Sequence, residues 1–433
     1  MKSLKSLLLF CLLLLAFSCA RTQDASDDAV GADGTVTLTM LNYNDLTSPE
    51  ARQFDAILAA FTKKYPEVKF KIETMFNEPF FQKTAALAAS GQLPDVMMMW
   101  PGGRSENLMK NDLVQDLYPF LGKDRNNFLP SAIQPQHDGK LFELPAAITA
   151  SHVMFVNKAI LARLGLSIPK TYNELVAMVP KLKAAGLEPV LMAGKDPWVL
   201  QSCLFSTIVG RIASTKWLRN AVAGKASFTE KPFVDSLKFL KKMFDDKVLS
   251  LNCLQTSYGE GPGLFVSGKA AFFIDGDWRV GALAPIIPAG QENDFVMIVL
   301  PAIPGETEGN STSVVTGTGF AMNVKLKGEK AKAAWKWISF YAGPEASLMK
   351  LQLNGEQPAY KVDTSGLKLS SLVQQRIKFF ATHRSTDVLD NVIGTKPIEV
   401  VNNGLQALAL GSITAEKLAA DVQKAMEQDR AGQ

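Results

Sequence analysis

The first hundred residues alternate strand and helix patterns, and this order restricts the fold more than any other feature. Val36–Leu41 alternates apolar and polar side chains as a half-buried strand does, and Val68–Ile72 repeats the pattern. A helix opens at Pro49 between these two strands, and a second helix is predicted over residues 78–90. A buried strand then ends at Trp100. The β-α-β-α-β order predicts an α/β fold with mixed sheets flanked by helices.

Tryptophans follow strands at three places in the chain. Ala270–Ile274 is a short apolar run that breaks into the polar loop Asp275–Trp278. Trp100 and Trp198 follow predicted strands in the same way. Ligands of open α/β sheets bind just beyond the carboxyl ends of the strands, and an indole held at a polar rim suits the face of a sugar ring. The pattern therefore predicts a carbohydrate site.

The N-terminus has the pattern of an export signal. Lys2 and Lys5 precede an apolar run too short to span a bilayer, and the sequence Ser-Cys-Ala follows at residues 18–20. We predict a lipoprotein signal peptide over 1–18 and lipidation of Cys19, with a flexible tether over 19–35. Phe17 stands where such signals usually have a small residue, so cleavage by an ordinary signal peptidase is the alternative.

Charge and composition exclude several classes of protein. Removing Lys2 and Lys5 from 46 basic and 42 acidic residues leaves a net charge of +2, which argues against nucleic acid as a partner. Cys203 and Cys253 either pair or remain as buried free thiols. The three histidines, at 137, 152 and 383, lack metal-ligand spacing, and the sequence indicates neither a metal nor a cofactor.

Six segments in order resemble family 1 extracellular solute-binding proteins, the sugar receptors of ATP-driven ABC importers. These segments are LNYND with the following FTKKYPEVKFKIE, FQKTAALAASGQLPDVMMMW, GKLFELPAAITASHVMFVNKAIL, LFVSGKAAFFIDGDW, VVTGTGFAMN with AAWKWISFYAGPEAS, and LQALALGSITAEKLAADVQKAM. One departure is Val156, which replaces the Tyr that the family usually has before Asn-Lys. The resemblance covers essentially the whole mature chain.

The resemblance implies a two-lobed periplasmic-binding-protein fold of type II-like topology, with the ligand cleft at the hinge. The chain is expected to cross between lobes near Ala147–Ser151, near Leu300 and near Asn354. The N-lobe would then consist of residues 36–149 and 301–353. The C-lobe would consist of residues 150–300 and 354–433.

The expected ligand contacts are indoles from both lobes and polar groups that suit sugar hydroxyls, which both donate and accept hydrogen bonds. They are Asn44, Asp45, Glu78, Trp100, Arg104, Trp198, Asp277, Trp278 and the backbone amides of Gly317, Thr318 and Gly319.

The predicted function is capture of a sugar by hinge closure and its delivery to the membrane permease of an ABC importer. The protein is expected to be a monomer, exported and lipid-anchored, and to have no enzymatic activity. A polyamine or a metal chelate is the alternative ligand. An exported glycoside hydrolase that uses Asp275 and Asp277 is a further alternative, although side chains two apart lie side by side rather than across a bond.

Overall fold

The computed structural model describes residues 30–31, 33–100, 102–315 and 317–431. The signal segment and Cys19 lie outside the described residues, as does most of the predicted tether. The strands are β1 (Val36–Tyr43), β2 (Val68–Met75), β3 (Val96–Met99), β4 (Glu143–Pro145), β5 (Ala147–Ala150), β6 (Val153–Asn157), β7 (Glu188–Leu191), β8 (Ala270–Asp275), β9 (Phe295–Ile298), β10 (Ser311–Val315), β11 (Gly319–Met322), β12 (Gln357–Pro358) and β13 (Arg384–Asp387).

Helices cover both faces of the sheets. They are α1 (Pro49–Lys64), α2 (Glu78–Ala89), α3 (Glu106–Lys110), α4 (Tyr118–Leu121), α5 (Lys158–Arg163), α6 (Tyr172–Ala184), α7 (Pro197–Leu200), α8 (Ser206–Ile212), α9 (Thr215–Val222), α10 (Lys231–Asp245), α11 (Gly261–Val266), α12 (Val280–Leu283), α13 (Gly328–Ala342), α14 (Pro344–Asn354), α15 (Ser371–Thr382), α16 (Leu389–Val392), α17 (Thr395–Ala409) and α18 (Ala415–Ala431).

The first lobe is built on a five-stranded sheet of order β2-β1-β3-β11-β4. β1 pairs in parallel with β2 and β3, whereas β11 runs antiparallel to β3 and β4. α1 begins at Pro49, as the sequence predicts, and Ser48 caps it, its hydroxyl accepting the Ala51 N–H. The fully buried Trp337 of α13 packs against Phe54 and Phe61 of α1 and fills the core on this face.

The second lobe is built on a four-stranded sheet of order β7-β8-β6-β9. Every residue of β8 is buried, because apolar side chains cover both faces of this strand. The larger core, on one face, includes α6, α10 and α17, and a smaller core on the other face includes Phe265 and Phe379. α6 continues through Pro180, although a proline inside a helix removes a backbone hydrogen bond and usually kinks or breaks the helix.

A third sheet of order β12-β5-β10-β13 joins the lobes, and we call it the hinge sheet. β5 leads from the first lobe to the second, and β10 leads back to β11 of the first lobe. β12 follows α14, beyond which the chain reaches α15 on the second lobe. The passages between lobes therefore lie side by side, which allows the lobes to rotate about one sheet.

The structure corrects two of the predicted lobe boundaries. Ala302 exchanges backbone hydrogen bonds with Lys170 and Tyr172, and Ile303 is buried in the second core, so residues 301–310 belong to the second lobe. The crossing predicted near Leu300 occurs instead at β10. After α14 the chain stays on the first lobe, where Ala359 is part of the core.

Candidate functional site

A cavity of about 550 Å³ lies between the two lobes, beside the hinge sheet. That volume is typical of a small-molecule site. Its walls come from both lobes and consist mainly of aromatic rings, carboxylates and backbone of the crossings. The residues that line it include Tyr43, Asn44, Asp45, Glu50, Gln53, Glu78, Phe81, Trp100, Arg104, Trp198, Tyr258, Trp278, Arg279, Gly317, Thr318, Tyr341, Glu356 and Asp390.

The first-lobe wall is a cluster of aromatic rings at the ends of β1 and β3. We call Tyr43, Phe80, Phe81 and Trp100 the first-lobe cluster. Trp100 meets Tyr43 edge-on at 4.4 Å between ring centroids, and Phe80 and Phe81 at 5.8 and 5.3 Å. The Tyr43 hydroxyl donates to Asn77 Oδ1 at 3.1 Å. The rings are therefore held mainly by edge-to-face packing, and the hydrogen bond from Tyr43 to Asn77 is the polar contact that supports it.

The second-lobe wall is an aromatic platform formed by Trp198, Tyr258 and Trp278. Trp198 lies 5.0 Å from Tyr258 and 6.3 Å from Trp278 between ring centroids. The Trp278 Nε1–H donates to the Tyr258 hydroxyl oxygen at 2.5 Å. Trp198 Nε1 is buried without a protein partner in the described residues, so the platform carries an indole donor that a ligand can use.

A buried ion pair holds the platform from behind. Arg279 Nε donates to Asp275 Oδ2 at 2.8 Å, and Arg279 Nη2 donates to the Tyr258 carbonyl at 2.5 Å. The guanidinium lies 3.3 Å from the centroid of the Tyr258 ring. Asp275 is the last residue of β8 and is fully buried. The strand end therefore orients Tyr258, and Tyr258 in turn orients Trp278.

The wall next to the hinge is polar. Glu50 and Gln53 lie on one face of the first turns of α1, and Glu356 follows α14 at the crossing. Gln53 Nε2 donates to Glu356 Oε1 at 2.8 Å. Burial raises the pKa of Glu50, and the negative charge of Glu356 raises it further. We call Glu50, Gln53 and Glu356 the hinge wall.

Arg104 joins the two lobes across the cavity. Its Nε lies 3.4 Å from Asp390 Oδ2 of α16, and its guanidinium lies 4.3 Å from the ring centroid of Phe81. Gly102 and Gly103 precede it, and a Cβ at either position would meet the carbonyl oxygens of residues 391 and 393 at 1.8 and 2.1 Å. Glycine is thus required where this loop touches the second lobe.

The turn before β11 approaches the first crossing closely. Gly317 has φ of +99°, and a Cβ there would meet the Ala147 carbonyl oxygen at 1.7 Å. The Gly319 N–H donates to Glu143 Oε2 at 3.2 Å, inside the first lobe. Burial raises the pKa of Glu143 well above its usual range, which favours a neutral carboxylic acid there.

Most of the residues predicted as ligand contacts lie at this cavity. Those that line it are Asn44, Asp45, Glu78, Trp100, Arg104, Trp198, Trp278, Gly317 and Thr318. Asp277 does not line it: this side chain is fully buried, and its Oδ1 accepts from Arg376 Nη2 at 2.8 Å. Gly319 also lies outside, because its amide is used by Glu143. Asp277 and Gly319, which the sequence predicts as ligand contacts, therefore have structural roles inside their lobes.

Sequence reasoning missed several residues of the cavity wall. Tyr258 lies in a short 3-10 turn rather than at a strand end, and Arg279 follows Trp278 in another. The hinge wall comes from a helix start and a crossing, which strand patterns do not indicate. Tyr43 offered a signal, because it ends β1 directly before Asn44.

Among residues 30–31, 33–100, 102–315 and 317–431, no His, Cys, Asp or Glu side chains form a group of three or more able to hold a metal ion. Cys203 and Cys253 are free buried thiols, which decides the alternative left open by the sequence. No helix in the described part of the chain has both the length and the apolar character needed to cross a membrane.

Comparison with known proteins gives consistent results. The family model described as bacterial extracellular solute-binding protein matches residues 47–347. A multiple sugar-binding protein of Streptococcus mutans is 24% identical over 311 residues, covering 70% of this chain and 71% of the relative. A probable sugar-binding periplasmic protein of Brucella suis is 25% identical over 239 residues, covering 53% of each chain.

Solved structures share the fold. A chitin oligosaccharide binding protein superposes with a TM-score of 0.81 at 22% identity, covering 91% of this chain and 100% of the other. A maltose-bound MalE3 of T. maritima gives a TM-score of 0.73 at 19% identity, covering 90% and 99%. The two-lobed α/β fold predicted from the sequence is confirmed. The family match, which covers well over half of the chain, shows that this protein belongs to the bacterial extracellular solute-binding proteins.

Proposed function

We propose that this protein is the extracytoplasmic receptor of an ABC importer, which captures an oligosaccharide and delivers it unchanged to the membrane permease. One observation carries the proposal: aromatic rings of both lobes line the same cavity. These rings are Tyr43, Phe81 and Trp100 of the first-lobe cluster and the three rings of the platform. Sugar rings present apolar faces and polar edges, and the cavity offers rings for the faces and carboxylates for the edges. Relatives whose names state sugar binding agree with this ligand class.

Capture works by closure about the hinge sheet. A ligand that touches the platform alone makes only part of its contacts, whereas closure adds those of the first-lobe cluster. Its binding energy therefore favours the closed state over the open one. The permease distinguishes loaded from empty receptor because the two differ in shape.

A glycoside hydrolase is not favoured. Asp275 and Asp277 are both fully buried, and each forms an ion pair, with Arg279 and Arg376 respectively. Hydrolysis of a glycosidic bond needs one carboxyl group as an acid and a second on the opposite side of the bond. The named relatives are binding proteins, and the proposed role involves no chemical step.

The proposed location is outside the cytoplasm, with the chain held at the membrane by a lipid on Cys19. The family is described as extracellular, which supports export. A Cys19→Ala variant would leave the membrane fraction and appear as soluble protein. Retention of that variant in the membrane would remove the anchor from the proposal.

A thermal-shift screen with neutral mono- to tetrasaccharides tests the ligand class. Binding to the folded state alone raises its stability by about 2.7 kcal/mol when the ligand is at 100 times its Kd. At least one oligosaccharide should raise the melting temperature of the wild type, and Trp278→Ala should make that rise clearly smaller at the same ligand concentration. Small-angle scattering of the same complex should show a smaller radius of gyration. No response to any saccharide, together with a response to a polyamine or a metal chelate, would overturn the proposal.

A further inference from the structure

The hinge wall has a chemistry that the proposed function leaves unspecified. Its three side chains, Glu50, Gln53 and Glu356, all line the cavity at the hinge. Gln53 is 4% exposed, and its Oε1 has no hydrogen-bond partner in the described residues. The orientation of this amide is set by its neighbour, because Nε2 is the group that donates to Glu356. An acceptor oxygen is thus buried at the edge of a ligand cavity.

The groups that the hinge wall offers to a ligand are acceptors. Ionised carboxylates accept hydrogen bonds and donate none. Gln53 directs its amide nitrogen to Glu356, so the atom of Gln53 that lacks a partner in the described residues is the acceptor Oε1. A hydroxyl needs both an acceptor and a donor to be satisfied. An ammonium group has three donors and no acceptor, so it matches three acceptor groups without leaving one unpaired.

The charges around the cavity favour a cation at the same place. Arg104 forms an ion pair with Asp390, and Arg279 forms one with Asp275, so the positive charges of both arginines are compensated. Neither Glu50 nor Glu356 forms an ion pair within the described residues. The charge of Glu356 raises the pKa of Glu50, and the charge of Arg279 lowers it to a smaller extent. Arg52, an exposed residue of α1, is the third guanidinium that lines the cavity. The five carboxylates of the lining, which are Asp45, Glu50, Glu78, Glu356 and Asp390, outnumber these three cations.

A further buried cation, Lys350, lies near Glu356 and is held by Tyr341. Lys350 donates to the Tyr341 carbonyl oxygen, and its ammonium lies 3.5 Å from the Tyr341 ring centroid. Burial lowers the pKa of Lys350 to about 7, although the charge of Glu356 opposes that shift. Lys350 is therefore only partly charged at neutral pH.

We infer that the hinge wall is a subsite for a protonated amine, and that the preferred ligand is an amino-saccharide whose amine binds Glu50, Gln53 and Glu356 while its rings stack on the platform. This inference rests on the proposed function. It refines the ligand class from an oligosaccharide to one with a free amine, and it selects against acidic sugars. Nearby aromatic faces also favour a cation.

Isothermal titration with matched β-1,4-linked trisaccharides tests the inference. The probes are the trimers of glucosamine, N-acetylglucosamine, glucose and glucuronic acid, with spermidine as a fifth ligand. We expect the glucosamine trimer to bind about tenfold more tightly than the glucose trimer, since tenfold corresponds to about 1.4 kcal/mol, less than one charged hydrogen bond contributes. The glucuronic acid trimer should bind most weakly.

Two isosteric variants locate the effect. Glu50→Gln and Glu356→Gln should each remove most of the preference for the glucosamine trimer while leaving the affinity for the glucose trimer within about threefold, because a neutral amide loses the charge but keeps an acceptor. Glu399→Gln, at an exposed position of α17, is the control for loss of one negative charge and should keep the preference. Thermal melts of each variant verify folding.

The outcomes distinguish failure of the amine subsite from failure of the oligosaccharide receptor. Equal binding of the glucose and glucosamine trimers, or a preference that survives in both glutamine variants, overturns the amine subsite and leaves an oligosaccharide receptor. Tighter binding of the glucuronic acid trimer also overturns it. Binding of spermidine with none of the saccharides overturns the proposed function itself.

Discussion

The two aromatic walls of the cavity are fixed in different ways. The first-lobe cluster is held by ring-to-ring packing that continues into the first core, and its polar tie is the bond from Tyr43 to Asn77. The platform is held by a chain of polar contacts that runs from Asp275 through Arg279 and Tyr258 to Trp278. Packing fills space but tolerates small rotations, whereas directed hydrogen bonds set the angle of a ring.

This difference suggests a division of labour. We propose that a sugar ring binds first to the platform, which is preorganised and needs little side-chain ordering. The first-lobe cluster would then adapt to the other face of the sugar when the lobes close. Substitutions and pH changes that affect one wall or one lobe separate these two roles.

The largest effect is expected from removing the ion pair behind the platform. Arg279→Leu leaves Asp275 as a buried, unpaired carboxylate, and such a change costs about 3–5 kcal/mol of unfolding free energy. Urea denaturation measures it. Lys332→Leu, which breaks the exposed pair with Glu329, should cost below about 1 kcal/mol. If Arg279→Leu costs no more than this control, the polar chain does not hold the platform.

The lobes should also respond oppositely to pH. His152, at the start of the second-lobe sheet, is fully buried between the Cys203 carbonyl and the Leu300 N–H, and burial lowers its pKa from 6.5 to about 4. The unfolded chain then binds more protons between these pH values, so stability is complete above pH 6.5 and falls as pH drops to 4. At about 1.4 kcal/mol per pH unit the loss is roughly 3 kcal/mol.

In the first lobe, Glu143 gives stability the opposite dependence on pH. Because its folded pKa lies above 4.5, the folded state holds a proton that the unfolded chain releases, and stability falls as pH rises above 4.5. Hydrogen exchange resolved by lobe measures both trends. His152→Asn should reduce the stability that the second lobe loses as pH falls. Glu143→Gln should reduce the stability that the first lobe loses as pH rises. Identical pH profiles in the two lobes would contradict the assignment.

A smaller effect is expected from removing one indole from either aromatic wall. Trp278→Ala removes the exposed face of the platform and should weaken sugar binding by about 2 kcal/mol, roughly thirtyfold, with little change in stability. Trp100→Ala opens a hole among the rings of the first-lobe cluster and should lower stability as well as affinity. Calorimetric titration and thermal melts separate the two. A reversed pattern would mean that the first-lobe cluster is the preorganised wall.

The smallest effect is expected at the contact between lobes. Asp390→Asn weakens the pair with Arg104, which is partly buried, and should destabilise the closed state by about 1 kcal/mol. If the pair acts only through closure, affinity falls about fivefold for every ligand, because the change is in the open–closed equilibrium. A loss that differs between ligands would instead make Asp390 or Arg104 a direct contact, as the sequence predicts for Arg104.

The sequence predicted the local features of this fold well. The start of α1 at Pro49, the strand ends that carry Trp100 and Trp278 and the two-lobed architecture follow from patterns over a few residues or from the family resemblance. It failed where the outcome depends on distant partners. Asp277 was expected at the ligand, but Arg376, far along the chain, binds it inside the lobe.

The crossings show the same limit. Residues 301–304 look extended and suited to a hinge crossing, yet Ala302 pairs with the segment before α6 and the chain returns only at β10. The hinge wall combines α1 with a segment some 300 residues later, and no local pattern connects them. Local chemistry thus indicates which residues can bind, and tertiary packing selects those that do.

A crystal structure of the protein with a bound trisaccharide tests the central claim most directly. We expect sugar rings between the first-lobe cluster and the platform, with one ring stacked on Trp278 and contacts to both lobes. A saccharide that lies outside the interlobe cavity, or that touches one lobe only while the lobes are closed, would contradict it.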